Sequence, residues 1–190
     1  MVAFNFQKTF EEKILDGSKS QTIRSALKED GTESKRHWPK VGSGLQIYFG
    51  LRTKHVRKIL SPDPTCRGIE PVVLNFGTDG FTRVKVGKRS LSTPEWLGFS
   101  QDDGFDDPEK MYRFWRSKLS HTIFGDTFRG YVTSWKCSCK FAEVVDQLEW
   151  FKDRAAQCKV CGGVVPDYLT ESLDIDRNNP TFRRIVEASK

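Results

Sequence analysis

The 190-residue chain has no long hydrophobic run. No window approaches the ~18 consecutive apolar residues of a membrane-spanning helix, so no membrane partner is expected. Met1 to Phe6 lacks the charged and apolar regions of a secretory leader, and the expected location is cytoplasmic. Neither an internal repeat nor a low-complexity tract is present. Histidine is scarce, and the spacing of His37, His55 and His121 commits none of them to hydrolytic chemistry. Cysteine is absent from most of the chain. Cys66 stands alone in the first 136 residues, and the other four fall between 137 and 161.

What is present suffices for a core. The chain is 37% hydrophobic and 12% aromatic, which excludes a disordered polyampholyte. The length fits one domain with an appendage. The net charge of +6 is uneven. Residues 1–136 hold 23 lysines and arginines against 16 acids, and residues 137–190 hold 8 against 9. Residues 19–60 alone hold 10 cations and 3 acids. Polyanion binding is one reading of that cluster, and a solvated basic face is the other.

Val2 to Phe6 alternates and predicts a strand. A helix is predicted from Thr9 to Asp16, with Thr9 as N-cap and Glu12 at capping-box spacing. Gly17 then sits where a C-cap glycine belongs. Residues 25–43 have little periodicity and read as a long loop, with Trp38 placed to plug the fold or to stack on a base. Leu45 to Phe49 reads as a strand, and Arg52 to Leu60 as a strand or a basic hairpin arm. Cys66–Phe76 and Phe81–Val86 read as strands joined by the turn Gly77–Gly80. In the second, Phe81, Arg83 and Lys85 should share one face, as an ordinary charged surface or a phosphate track. Helices are expected from Ser92 and from Asp106, the latter with an aromatic stripe at Met111, Phe114 and Trp115. Arg129 to Trp135 reads as a closing strand, after which the clearest domain boundary falls. The fold class is α+β.

The cysteines form two pairs, Cys137-Ser138-Cys139 and Cys158-Lys159-Val160-Cys161. The second has the shape of a zinc knuckle, and two such pairs can close a tetrahedral four-thiolate site. Structural zinc at Cys137, Cys139, Cys158 and Cys161 is the expected cofactor. Reduced structural thiols are one alternative, and a redox dithiol at Cys158 and Cys161 is a third option, disfavoured because no thioredoxin-like βαβ pattern surrounds it. Between the pairs, Phe141 to Ala156 reads as an amphipathic helix. The domains are therefore 1–136 and a zinc-ribbon-like 137–190.

One short stretch carries the chemistry: Gly17-Ser18-Lys19-Ser20-Gln21-Thr22-Ile23-Arg24. Two cations and two hydroxyls are presented on an extended segment just after a helix end. With Lys8-Thr9-Phe10 before it, it resembles the entry motif of the ASCH superfamily, a PUA-like β-barrel fold. Gly44 to Phe49 with Leu51-Arg52-Thr53, then Asp103-Gly104-Phe105 with Glu109-Lys110-Met111, then Phe128-Arg129-Gly130 with Trp135 are similar to later parts of that family, in order. The resemblance spans residues 2–136. It implies a small barrel with short flanking helices and a basic cleft for RNA, another single-stranded nucleic acid or a modified nucleoside. In that cleft Lys19, Arg24, Arg52, Lys54 and Arg57 would hold the ligand. Some members are N(4)-acetylcytidine amidohydrolases. That carry-over makes Lys19 the base, Thr22 the nucleophile, and Asp103, which stands where those enzymes have Glu, the acid that holds Lys19 or the cytosine amino group. Binding module, amidohydrolase and ribonuclease remain the three functional expectations.

Overall fold

A computed structural model describes residues 2–28, 32–34, 37–118, 126–136, 148–151, 155–158 and 164–165. In chain order the elements are β1 (Val2–Phe6), α1 (Glu11–Leu15), β2 (Gln21–Ser25), β3 (Leu45–Phe49), β4 (Arg57–Lys58), β5 (Gly68–Phe76), β6 (Phe81–Val86) and β7 (Arg89–Ser90). Then follow α2 (Thr93–Asp102), α3 (Pro108–Lys118), β8 (Thr127–Ser134), β9 (Leu148–Phe151), β10 (Ala155–Cys158) and β11 (Val164–Val165). The class is mixed α+β, as expected. Among the described residues the strands form open sheets, not a closed barrel. One sheet runs β1-β3-β4, another β2-β8-β5-β6-β7, and a third β11-β10-β9.

Alternation explains the strands. In β1, Phe4 and Phe6 are buried and Ala3 and Asn5 exposed. β1 pairs in parallel with β3, placing Phe4 beside Ile47. β6 departs from simple alternation. Phe76 lies opposite Phe81 while Asn75 lies opposite Arg83, so Thr82 is an extra residue. This bulge turns Phe81 inward beside Val84, and it does not share a face with Arg83 and Lys85 as expected.

The helices start and stop on local chemistry. Lys8–Phe10 winds as a 3-10 turn, so Thr9 lies inside it and is not the N-cap. The α-helix begins two residues later, and Phe10 takes the cap position without a side-chain bond. The Ser92 N–H donates to the Glu95 carboxylate at 2.7 Å at the start of α2. Asp107 accepts the Lys110 N–H at 2.7 Å at the start of α3.

Two cores result. The first packs sheet β1-β3-β4 and α1 around Phe4, Phe6, Leu45, Ile47, Ile59 and Trp135. The second lies between the inner face of the five-stranded sheet and α2 and α3, around Ile23, Leu74, Met111, Phe128 and Val132. Phe10 packs against both.

The C-terminal segment corrects one expectation. The described residues between 148 and 158 form the antiparallel pair β9–β10, so the helix expected over 141–156 is not formed there; 141–147 lie outside the described residues. Leu148 and Phe151 are apolar at a spacing that suits either structure, and the Val164–Val165 partner strand decides for sheet. The boundary after Trp135 is bridged. Val164 is fully buried in the first core, its N–H bonds the Trp135 carbonyl at 2.7 Å, and Lys136 pairs with Val164. Of the expected metal ligands, Cys158 ends β10, and Cys137, Cys139 and Cys161 lie outside the described residues.

Phe128 is wholly buried with its ring 5.1 Å from that of Trp115. Phe128→Ala should therefore lower unfolding stability by about 3–5 kcal/mol, read by chemical denaturation.

Candidate functional site

The residues after α1 are forced into an unusual path. Gly17 has φ of 76°, the left-handed conformation a glycine enters freely. The Gly17 N–H meets the Ile14 carbonyl and the Lys19 N–H meets the Lys13 carbonyl at 2.7 Å, closing the helix end. The Ser20 N–H then bonds the Asp102 carbonyl at 2.8 Å, tying the lead-in of β2 to the end of α2. Every residue from Lys19 to Ile23 is buried.

Lys19 and Asp103 meet in this buried layer. The Lys19 Nζ lies 2.9 Å from Asp103 Oδ1 and also donates to the Asp103 backbone carbonyl. Both side chains are under 5% exposed. The ammonium sits 4.7 Å from the centre of the Phe10 ring and 5.6 Å from that of Phe6. Burial pushes the Lys19 pKa down, against the pull of Asp103, and nearby Arg24 and Lys13 push it further. Burial likewise pushes the Asp103 pKa up, against Lys19, Arg24 and the Ile23 amide. Both shifts favour the neutral forms, so the two proton affinities approach each other.

Gly104 makes the approach possible. Its φ is 88°, and a Cβ there would stand 2.8 Å from Lys19 Cδ and 3.0 Å from the Phe10 ring. Sequence reasoning places a turn at Asp103-Gly104-Phe105, and the structure supplies its steric reason.

A pocket of about 250 Å³ opens beside the pair. Lys19, Thr22, Arg24 and Asp103 all line it, with Asn5, Phe6, Phe10, Phe114 and Trp115 among the other walls. It lies at the seam between β1 and β2, each the edge strand of its sheet. Arg24 spans that seam. Its Nη2 donates to the Asn5 carbonyl at 2.9 Å, and its guanidinium lies 5.2 Å from the Phe6 ring centre. Thr22 is opposite Thr133 in the β2–β8 register, and the buried Thr133 hydroxyl has no hydrogen-bond partner among the described residues.

The remaining expected ligand-holding cations stand elsewhere. Arg52 and Lys54 are exposed on the turn after β3 and do not line the pocket. That turn is joined to the pocket rim because the Leu51 N–H bonds Asn5 Oδ1 at 2.9 Å. Arg57 is ion-paired with Glu11 and lies 5.5 Å from the Phe49 ring centre, so it is committed within the fold. Neither His37 nor His55 lines the pocket, and His121 lies outside the described residues. Asn5 and the aromatic walls escape sequence reasoning. Asn5 sits on an ordinary exposed strand position, and Phe114 and Trp115 belong to a stripe that reads as core.

A buried pair that loses one member leaves an uncompensated charge. Asp103→Leu should cost about 3–5 kcal/mol of stability, and adding Lys19→Met should recover most of it. Denaturant midpoints of the single and double variants measure this; a double variant no more stable than the single would mean the ion pair is not the cause.

Comparison with protein-family models, with curated proteins and with solved structures finds no match for this chain.

Proposed function

We propose that the chain is a nucleotide-binding protein of the ASCH, PUA-like type, which takes one base of RNA or of a modified nucleoside into the pocket at the β1–β2 seam. The observation that carries this reading is the convergence of Lys19, Thr22, Arg24 and Asp103, which the motif resemblance joins and 84 residues of chain separate at its widest, on one pocket. The size fits. At about 250 Å³ the pocket falls below the ~300–1,000 Å³ of drug-sized ligand sites, so it suits a single base with its phosphates outside. The walls fit as well. Phe6, Phe10, Phe114 and Trp115 offer ring faces and edges, while Lys19 donates and Asp103 accepts at a base edge. The exposed cations Arg52 and Lys54 lie on the turn joined to the rim and would hold a flanking phosphate.

Amidohydrolysis of a base such as N(4)-acetylcytidine is the second reading, and one observation favours it. Burial draws the Lys19 and Asp103 proton affinities towards each other, which lowers the cost of passing a proton between them. Lys19, having passed its proton to Asp103, would take the proton of the Thr22 hydroxyl as Thr22 attacks the acetyl carbonyl. Lys19 would then return that proton to the departing amino nitrogen, and water would release acetate from the threonine ester. Arg24 would steady the oxyanion. Nothing observed favours the ribonuclease reading: neither His37 nor His55 lines the pocket, and His121 lies outside the described residues.

Thr22→Val separates the two readings. It keeps the β-branched shape and removes one hydroxyl, whose hydrogen bond is worth about 0.5–1.5 kcal/mol. Affinity for N(4)-acetylcytidine, measured by calorimetry, should stay within about tenfold. If wild-type protein releases acetate, that turnover should collapse in the variant. No binding of any pyrimidine nucleoside or oligonucleotide by wild type would refute the proposed function.

We also propose a structural zinc held by Cys137, Cys139, Cys158 and Cys161. The strand order β11-β10-β9 supports it, because Cys158 ends β10 and the knuckle spacing carries the chain on to β11. The Lys136–Val164 bridge supports it too, since Cys137 follows one partner directly and Cys161 precedes the other by three residues. Four thiolates would leave no open position for water, so this metal would serve folding alone. Elemental analysis of purified protein should find about one zinc per chain, and chelation should lower the melting temperature.

A further inference from the structure

The five-stranded sheet has two unlike faces. The inner face carries Val72, Leu74, Val84, Phe128 and Val132 into the second core. The outer face carries the alternate residues of the same strands, and these are exposed or half-buried from Thr127 to Tyr131 of β8 and along β5 and β6, while Thr133 is buried. Register sets them in rows. Arg129 of β8, Val73 of β5 and Lys85 of β6 form one row, and Thr127, Asn75 and Arg83 form the next. Adjacent members of a row are ~4.8 Å apart, the spacing of paired strands. Arg129 is exposed and has no ion-pair partner among the described residues. Arg83 is exposed and, among the described residues, donates only to the Ser90 hydroxyl, at 3.0 and 3.1 Å. Among the described residues no carboxylate occupies either row. The one acid of β5, Glu70, is at an inner-face position opposite Val132.

Tyr131 lies on the same face, two residues and about 7 Å along β8 from Arg129. The half-buried ring of Trp38 rests on it at 4.6 Å. Tyr131 is opposite Arg24 in the β2–β8 register, and Thr133, two residues further, is opposite Thr22. An aromatic pair therefore stands between three outer-face cations and the two β2 side chains of the pocket.

We propose that this outer face seats a single-stranded oligonucleotide, with phosphates on Arg83, Lys85 and Arg129, one base stacked at Trp38–Tyr131, and the adjacent base delivered to the Lys19 pocket. Only the last clause rests on the nucleotide reading of that pocket. The chemistry selects the occupant. Cations without acids select a polyanion, and a partly exposed aromatic pair among them selects a polyanion that carries flat rings. The cation rows, the aromatic pair and the pocket follow one another along β8 and β2, and that series asks for a chain and not a free nucleoside.

Fluorescence anisotropy with a labelled single-stranded decamer, as RNA and as DNA, tests the surface, with duplex DNA and a polyglutamate peptide as competitors. Tyr131→Ala should weaken decamer binding roughly 5- to 150-fold, the range for loss of one stacked base. Arg129→Gln and Lys85→Gln, both surface changes, should each reduce the log–log salt slope by about 0.7. None of the three should alter calorimetric affinity for N(4)-acetylcytidine. Preference for the RNA or the DNA decamer identifies the source of the strand. Decamer binding indifferent to all three substitutions, or displaced as well by duplex or polyglutamate, would overturn the surface and leave the pocket standing. Decamer binding sensitive to them, with no nucleoside binding, would keep the surface and remove the pocket reading.

Discussion

The fold of the first 136 residues depends on two charges held out of water. Lys19 and Asp103 are each nearly inaccessible, and desolvating both costs several kcal/mol per ion before any attraction is counted. Such a pair persists only where geometry is tightly held, and the neighbouring contacts hold it. The glycine cap at Gly17 turns the chain so that Lys19 points inward. The Ser20–Asp102 backbone bond fixes the distance between the two segments. Gly104 lacks the Cβ that would crowd the Lys19 stem and the Phe10 ring. Phe10 closes the roof over Lys19 and belongs to both cores, so neither core can shift without moving the charge. The pair contributes little net stability by itself, but it specifies how α1, β2 and α2 meet.

The second constraint is the unclosed seam. Edge strands present unpaired backbone groups and are a liability unless covered. Here the edges of β1 and β2 are bridged by a side chain, Arg24 to the Asn5 carbonyl, instead of by a ladder. The gap that a closed barrel would fill with hydrogen bonds is left as the pocket. Its polar groups come from strand edges and from the ion pair, and its apolar walls come from both cores.

Local chemistry made much of this legible. The C-cap glycine, the strand alternation in β1 and β3, the Gly77–Gly80 hairpin and the starts of α2 and α3 are each written in a few adjacent residues. The meeting of Lys19 with Asp103 was legible only through the motif resemblance, because no local pattern reports a contact across 84 residues. Three features were hidden for definite reasons. The β6 bulge depends on how the turn after Phe76 places Phe81. The β9–β10 pair depends on a partner strand beyond it, against a periodicity that also suits a helix. The commitment of Arg57 to Glu11 depends on α1 lying beside β4, and charge counting treats such a cation as available.

Charge counting along the chain does not say which cations the fold leaves exposed. Four of the ten cations of residues 19–60 are engaged within the fold, since Lys19 is buried, Arg24 bridges the seam, and Arg57 and Lys58 are ion-paired, while Lys28, Lys40, Arg52 and Lys54 are exposed. The sparser cations of β6 and β8 are the ones that the sheet aligns. A strand puts alternate residues on one face, and pairing puts residues distant in sequence side by side, so Arg83, Lys85 and Arg129 become neighbours without forming any run. The electrostatic surface of this protein is therefore a property of register, and what a polyanion would meet is set by which cations the core has not already claimed.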